Sequence, residues 1–491
     1  MAEALERNDI QGLLFSAYGH LTCAAYLLLR VDDAKAGREW LGRLAQEITL
    51  ATGKQEGFSV NVALTGAGLA RLGLDDDALS TFSSAFRDGM TSPRRTKILG
   101  DTGNSQPDRW SWGGPKNDEA HLLLMLFADE DQIDRQVDRQ RESFGKERGI
   151  VELMAVRAGR EPDSKEHFGF NDGIGQPVIA GTGNLQRQLQ RTGHATELDP
   201  GEFILGYTND YGIPSDSPTV AASRDPRELL PAVRAAGGPP GAAASSAVRH
   251  DLGRNGTYLV LRQMAQDVAA FWQFLDRATR NETGGSDPEA RVRLAAKFVG
   301  RWPSGAPLVQ YPQEDPNADT GQLSNANNFE YAATDGYGFA CPIGAHIRRA
   351  NPRDSLGPDP QTALRSTKRH RLLRRGRSYG KRLENPLTDD REERGLLFVC
   401  LNSDIERQFE FVQQTWINNP VFGGLNGEVD PLIGTQPLAD AQKTGAGIMT
   451  VPADPLRTRV LHLGRFVTVK GGAYFFMPGL RALRYLSSLG E

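Results

Sequence analysis

Three short segments hold acids, histidines and arginines in settings where they could do chemistry. The first covers residues 168–180 and reads FGFNDGIGQPVIA, with Asp172 among aromatic and aliphatic side chains and several glycines. Glycines let the backbone approach a flat ligand closely. A carboxylic acid in an apolar setting can have a raised pKa and serve as an acid–base catalyst. The alternative is that Asp172 only closes a glycine-rich turn, which is the simpler explanation for an isolated Asp-Gly pair.

The second segment covers residues 341–353 and reads CPIGAHIRRANPR. Here His346 follows small residues and precedes Arg348, Arg349 and Arg353. A haem needs an imidazole for its iron and cations for its two propionates, and this segment offers both. A lone histidine is more often a structural residue than a ligand, and the arginines alone do not decide between the two.

The third segment covers residues 370–380 and reads HRLLRRGRSYG. Its arginines could form a solvated or nucleic-acid-binding patch. However, Leu372, Leu373 and Tyr379 lie between them, which predicts that one face is buried. A buried arginine there would need an anionic partner or ligand.

Composition excludes several classes of protein. The chain has 491 residues, with 57 Lys and Arg against 61 Asp and Glu, so its net charge of −4 gives no field for nucleic acid or an anionic membrane. Its three cysteines are far apart, which argues against a disulfide framework and for a reducing compartment. The apolar runs are too short to span a bilayer, and residues 1–14 do not look like a secretory signal. We therefore expect a cytoplasmic protein. The eight histidines lack the spacing of a non-haem metal site.

Strands and helices alternate along the chain. Predicted strands cover residues 20–31, 59–65, 121–128, 151–157, 257–264, 395–401 and 465–476, the last with a bulge at Gly471 and Gly472. Predicted helices cover residues 36–50, 66–72, 129–143, 265–279 and 404–416. Residues 218–249, with GGPPGAAASS at their centre, and residues 310–328 read as irregular loops or linkers.

Two strand-to-helix units, at residues 121–137 and 395–411, share one layout of apolar strand, acidic break and helix. This layout indicates either an internal duplication or the ordinary composition of an α+β chain, and the sequence does not separate the two.

Taken together and in this order, the three segments resemble the dye-decolorising peroxidases. The stretches that carry the resemblance are GFNDG at 169–173, GAHIRRANPR at 344–353 and RRGRSYG at 374–380. GEFILGY at 201–207, FEFVQQTWINN at 409–419 and GGAYFFMPG at 471–479 add to it. The resemblance runs from about residue 10 to the C-terminus, and the chain length with its inserted loops is similar to the larger intracellular subgroup.

The resemblance implies an α+β fold of two ferredoxin-like modules that enclose haem. We expect an N-terminal module at residues 1–190, an irregular linker at 191–255 and a haem-ligating module at 256–491. It also implies one haem b per chain and a peroxidase that reduces hydrogen peroxide and oxidises dyes and phenolics through a ferryl intermediate. A homo-oligomer is compatible with the loops and the charge balance, and no nucleic acid or membrane is expected as a partner.

The resemblance also assigns roles to single residues. It makes His346 the proximal iron ligand, Asp172 the distal acid–base residue and Arg374 the distal arginine. Asp430 would accept the other N–H of His346. The remaining assignments are Leu396 and Phe398 on the distal face, Gly173 beside the haem, and Arg353 on a propionate with Arg348 or Arg349 as substitutes.

Two questions stay open. Tyr379 and Trp416 match positions that look like electron relays in related peroxidases, but buried aromatic residues are commonly just core packing. The rival function is a haem-binding or iron-handling protein, which would use His346 but would not need Asp172 together with Arg374.

Overall fold

A ring of antiparallel strands forms the centre of the protein. The computed structural model describes residues 4–53, 57–145, 149–234, 248–318, 325–437 and 446–490. Within them the strands are β1 Cys23–Val31, β2 Phe58–Leu64, β3 Leu122–Ala128, β4 Ile150–Gly159, β5 Val178–Ile179, β6 Glu197–Leu198, β7 Thr219–Ala221, β8 Ala232–Arg234, β9 Val248–Asp251, β10 Thr257–Gln266, β11 Leu373–Arg374, β12 Arg377–Tyr379, β13 Gly395–Asn402, β14 Gly447–Val451, β15 Thr458–Leu463 and β16 Val467–Met477.

Helices surround this ring. They are α1 Ala34–Leu44, α2 Gly66–Leu72, α3 Asp76–Ser80, α4 Ser84–Asp88, α5 Pro93–Leu99, α6 Glu130–Gly145, α7 Leu185–Thr192, α8 Val268–Ala278, α9 Pro288–Val299, α10 Ala332–Asp335, α11 His346–Ala350, α12 Pro360–Lys368 and α13 Leu480–Ser487. Two π-helical segments, Glu406–Glu410 and Val412–Ile417, follow β13. No helix among these described ranges combines the length and hydropathy needed to cross a membrane.

The strand order shows two copies of one design. In the N-terminal half the order is β4-β1-β3-β2, and in the C-terminal half it is β16-β10-β13-β12. Counted within each half, both sheets therefore have the order 4-1-3-2, with helices following the first and third strands. This repeat favours duplication as the explanation for the shared strand-to-helix layout, and it agrees with the predicted α+β fold.

The two sheets join at both edges. β2 pairs with β16 through Leu64 and Phe476, and β4 pairs with β12 through Gly159 and Ser378. β11 also pairs with β13 beside β12. The ring has an apolar interior to which both halves contribute, and an apolar outer face that the helices cover. Strands buried on both faces explain why β3 is apolar along its whole length.

Several predicted boundaries shift in the structure. The helix expected at 36–50 ends at Leu44, and the helix expected at 265–279 begins only at Val268 because β10 continues to Gln266. The segment expected as an α-helix at 404–416 winds as π-helix. The predicted bulge in β16 is confirmed, since the register with β10 skips one residue next to Gly471.

The region expected as an irregular linker contains regular structure. β7, β9 and β8 form a small antiparallel sheet on either side of residues 235–247, so the prediction of an irregular linker across 191–255 was too broad. The GGPPGAAASS stretch itself lies outside the described residues.

Candidate active site

A cavity of about 860 Å³ lies where the two halves meet. Its lining comes from the loop between β4 and β5, from β10, β12 and β13, and from α11. His346, Asp172 and Arg374 all line it, although the sequence separates them widely. Its volume falls in the range of small-molecule and cofactor sites. The structure thus brings the three predicted motifs to one place.

His346 begins the short helix α11 and is fixed by a buried carboxylate. Its Nδ1 lies 2.8 Å from Oδ2 of Asp430, which is 0% exposed. The other oxygen of Asp430 accepts the backbone N–H groups of Leu432 and Ile433 at 2.9 Å each. Because Nδ1 donates to Asp430, Nε2 remains available as a metal ligand. Burial lowers the pKa of His346, but the Asp430 carboxylate raises it, so that it lies above its usual value.

Asp172 and Arg374 form the second polar pair in the cavity. Nη1 of Arg374 lies 3.1 Å from Oδ1 of Asp172, whose side chain is 51% exposed. The same oxygen accepts the backbone N–H of Gly173 at 2.6 Å. The Arg374 backbone is held in turn, because its N–H donates to Oε1 of Gln176 at 3.1 Å.

The charge state of Asp172 differs from the expectation of a raised pKa. Burial raises the pKa of Asp172, but the Arg374 guanidinium, the Gly173 N–H and His346 lower it, and the net pKa lies below its usual value. Phe168, one of the apolar neighbours that suggested a raised pKa, packs on Phe271 in the core. Asp172 is therefore a carboxylate at neutral pH.

Arg301, Arg353 and Arg371 line the cavity, and none of these three has a carboxylate in an ion pair among the described residues. Arg301 donates to the carbonyls of Gly305 and Ala326, and Arg371 donates to the carbonyl of Gly175. Burial together with Arg353 lowers the pKa of Arg301 to about 10, and burial together with Arg353 and Arg374 lowers that of Arg371 to about 9. Repelling cations at a cavity wall favour an anionic ligand.

Arg353, the predicted propionate partner, is the third of these arginines. Its guanidinium lies 3.8 Å from the centre of the Phe329 ring and donates to the Phe329 carbonyl at 2.7 Å. The substitutes Arg348 and Arg349 do not line the cavity. Arg348 binds Asp335, and Arg349 binds backbone carbonyls, so both are structural.

The expectation that buried arginines near His370 need an anionic partner is wrong for two of them. Arg375 and Arg377 donate to backbone carbonyls of the N-terminal segment, at Leu13 and Leu14 and at residues from Ala17 to Thr22. Carbonyl oxygens are sufficient acceptors for a guanidinium when several converge. Only Arg371 and Arg374 of this segment reach the cavity with few acceptors.

The remaining predicted residues divide into two groups. Leu396 and Phe398 on β13 and Gly173 line the cavity, and their places on a haem stay predictions. Tyr379 is only 7% exposed and Trp416 only 5%, and neither lines the cavity. Their burial favours core packing over direct contact with a bulky substrate.

Sequence reasoning missed Arg301, Arg371 and Glu166. Arg371 lies in the segment 370–380 and Glu166 lies two residues before the segment 168–180, but nothing in their spacing shows that they face a cavity. Arg301 follows Gly300 at the end of α9 and carries no local signal.

The residues present fit a haem. A histidine with a carboxylate on Nδ1 is the usual arrangement of a metal-ligating imidazole, and unpaired arginines at the wall suit propionates. The cavity joins these donors to an acid and a guanidinium that could act on a small reactant.

Comparisons with known proteins agree with this arrangement. No family model matches the chain. A dye-decolorizing peroxidase of Mycetinis scorodonius is 30% identical over 94% of this chain and 84% of its own. A multifunctional dye peroxidase of an Amycolatopsis species is 29% identical over 98% of this chain and 93% of its own. The crystal structure of a DyP-type peroxidase from Auricularia auricula-judae superposes with a TM-score of 0.75 at 25% identity, covering 99% of this chain and 100% of that one.

The similarity to these peroxidases, in both sequence and structure, covers nearly the whole length of this chain. Members of this group are haem enzymes. The chain belongs to the dye-decolorising peroxidase family, and it is a peroxidase.

Proposed function

We propose that this peroxidase holds one haem b in the described cavity, with Nε2 of His346 as the protein ligand of the iron. Arg301, Arg353 and Arg371 would hold the propionates, while Leu396, Phe398 and Gly173 would lie against the porphyrin. The observation that carries the proposal is that a carboxylate-bound histidine and an acid–arginine pair line one cavity.

The peroxide chemistry would fall to Asp172 and Arg374. When bound, the haem supplies the redox chemistry, giving up two electrons to peroxide and regaining them from the organic substrate. Asp172, ionised at neutral pH, takes a proton from one oxygen of hydrogen peroxide and delivers it to the other, which leaves as water. Arg374 stabilises the negative charge that develops as the O–O bond breaks.

The reducing substrates would be dyes and phenolics, the class that the relatives' names indicate. A protein that only stored haem or removed its iron would need His346 but would gain nothing from the Asp172–Arg374 pair. The presence of that pair favours peroxide turnover over the iron-handling alternative. A cytoplasmic location, a homo-oligomeric state and electron relay through Tyr379 or Trp416 stay predictions.

The decisive experiment removes the histidine. We expect His346→Ala to lose the Soret band and peroxidase turnover after reconstitution with haem, because the cavity then lacks an imidazole. The measurement is the absorption spectrum of the purified variant before and after one equivalent of hydrogen peroxide.

The chain offers a matched control. His250 is also buried and also contacts a carboxylate, since its Nδ1 lies 2.7 Å from Oδ2 of Asp225, but it does not line the cavity. His250→Ala should keep the wild-type spectrum. A normal Soret band and full turnover in His346→Ala would refute the assignment.

A further inference from the structure

Glu166 precedes Asp172 in the loop between β4 and β5 and lines the same cavity. Its carboxylate collects three N–H donors. Oε2 accepts the backbone N–H of Phe168 and Nε2 of Gln266, both at 2.8 Å, and Oε1 accepts the backbone N–H of Phe170 at 3.1 Å. The mechanism above does not use this side chain.

These bonds close a tight turn next to Asp172. The N–H of Glu166 donates to the carbonyl of Phe170 at 3.0 Å, and the N–H of Gly169 donates to the carbonyl of Glu166 at 2.8 Å. Gly169 has a φ of +92°, a conformation that glycine adopts without strain. The turn is thus folded around the Glu166 carboxylate, and the chain leaves it directly into Asn171 and Asp172.

Gln266 ties the turn to the central sheet. It lies at the end of β10, and its own backbone N–H donates to the carbonyl of Arg394 at 2.8 Å. Glu166 therefore connects the glycine-rich loop to a strand of the central sheet. Other bonds also hold the loop near Asp172: the N–H of Asn171 donates to the carbonyl of Pro303 at 3.1 Å, and Arg191 donates to the carbonyl of Gly173 at 2.7 Å.

We propose that Glu166 is a positioning residue for the peroxide reaction, and that its carboxylate folds the loop that places Asp172 beside Arg374. This inference rests on the proposed role of Asp172. Glu166 acts through the loop and does not itself exchange protons with peroxide.

The geometry requires a carboxylate. A glutamine offers one acceptor oxygen and an NH2 group, so at least one N–H of Phe168, Phe170 or Gln266 would face a donor. Burial raises the pKa of Glu166 to about 7 and the charge of Asp172 adds to this rise, while the three N–H donors act in the opposite direction and favour the carboxylate.

The test is Glu166→Gln in the haem-loaded enzyme. A misplacement of about 1 Å can cost up to 10²-fold in rate, so we expect the second-order rate constant for hydrogen peroxide to fall about tenfold on its pH plateau. In a crystal structure of the variant, the Asp172–Arg374 contact, 3.1 Å here, should open beyond hydrogen-bonding distance. The KM for the organic substrate should not change.

A double-mutant cycle shows whether Glu166 works through Asp172. Glu166→Gln should cost nothing further in an Asp172→Asn background, because there is then no carboxylate left to position. Glu202 supplies the control, since it is fully buried, caps the N–H of Asp210 and lies outside the cavity. Glu202→Gln should leave the plateau rate unchanged.

The outcomes separate the two proposals. A wild-type rate in Asp172→Asn would overturn the proposed role of Asp172 and this inference with it. If Asp172→Asn reacts slowly with peroxide but Glu166→Gln keeps the wild-type plateau rate, this inference alone is overturned. The same holds if the losses of the two variants add in the double variant. If Glu166→Gln shifts only the acid limb of the rate's pH profile and leaves the plateau rate unchanged, Glu166 acts by its charge alone. That outcome also overturns this inference.

A second variant covers a failure to fold. If Glu166→Gln does not fold, Gln266→Leu removes one of the three donors and should lower the plateau a few-fold, with the same loss of effect in the Asp172→Asn background. A wild-type plateau in Gln266→Leu would then overturn the inference.

Discussion

The two polar pairs of the cavity are built in contrasting ways. The His346–Asp430 pair is closed, because Asp430 is fully buried and three N–H groups occupy its oxygens at 2.8–2.9 Å. The Asp172–Arg374 pair is open to the cavity, since both side chains line it and a single 3.1 Å contact joins them. A closed pair suits a ligand that must not move, and an open pair suits groups that must meet a small reactant.

The contrast also appears in where each pair is anchored. Asp430 caps the backbone directly after it, so its position depends on local contacts. Asp172 depends on a loop and on one guanidinium. The open pair should therefore respond in rate, and the closed pair in cofactor affinity.

The largest expected effect is on the open pair. Asp172→Asn should lower the rate of reaction with hydrogen peroxide by about 10²–10⁴-fold, because an amide cannot take the proton, while haem content stays unchanged. Stopped-flow absorption measures the rate. Asp163, in an exposed pair with Arg382 at 2.7 Å, is the matched control, and Asp163→Asn should react normally. Loss of haem in Asp172→Asn would erase the contrast between the pairs.

Arg374→Gln should come next, with a fall of about 10²–10³-fold on the plateau, because a charged donor to the developing negative charge is lost. The guanidinium holds the pKa of Asp172 below its usual value, and the base form of Asp172 is lost as pH falls through that pKa. Without Arg374 the pKa rises, so the acid limb of the peroxide reaction moves to higher pH.

Arg374→Lys serves as the comparison for that limb, since it keeps the charge and should leave the limb near its wild-type position. A limb that stays in place in Arg374→Gln would mean that Arg374 does not control the charge of Asp172.

The closed pair should show a smaller effect, and on affinity. Asp430→Asn should weaken haem binding by about 10–100-fold, because the carboxylate orients the ligating imidazole. Haem titration by absorption measures this. Asp225 contacts His250 and caps the N–H groups of Leu229 and Leu230 in the same way, so Asp225→Asn is the control and should bind haem normally. Equal effects of the two variants would contradict the prediction.

The smallest effect should come from the cavity wall. Arg371→Leu should weaken haem binding about tenfold, the value of one charge-assisted hydrogen bond, while the haem-free protein loses no stability because an unpaired buried cation is removed. Thermal unfolding with and without haem separates the two quantities. Arg377→Leu is the opposite case, since its guanidinium has several carbonyl acceptors, and it should destabilise both forms.

Much of the site could be predicted because its main residues belong to short sequence motifs. The segments around Asp172, His346 and Arg374 were recognisable as ordered motifs, and the structure places all three residues in one cavity. Asp430 was assigned by resemblance alone, and it lies against His346 although 84 residues separate them.

What could not be predicted depends on contacts between distant parts of the chain. The lowered pKa of Asp172 follows from Arg374, and the cavity position of Arg301 follows from how α9 ends. The mixture of strands and helices was visible in the sequence, and the α+β fold of two ferredoxin-like modules was implied by the resemblance. The small sheet of β7, β8 and β9 was not predicted, because its strands are only a few residues long.

The closed ring has a consequence for how the protein is made. The β2–β16 and β4–β12 seams form only when strands of the C-terminal half are present. A ribosome that has completed only the N-terminal half therefore displays two unpaired sheet edges, which are templates for aggregation. Chaperone protection should matter most during that interval of synthesis, and much less once the last strand has docked.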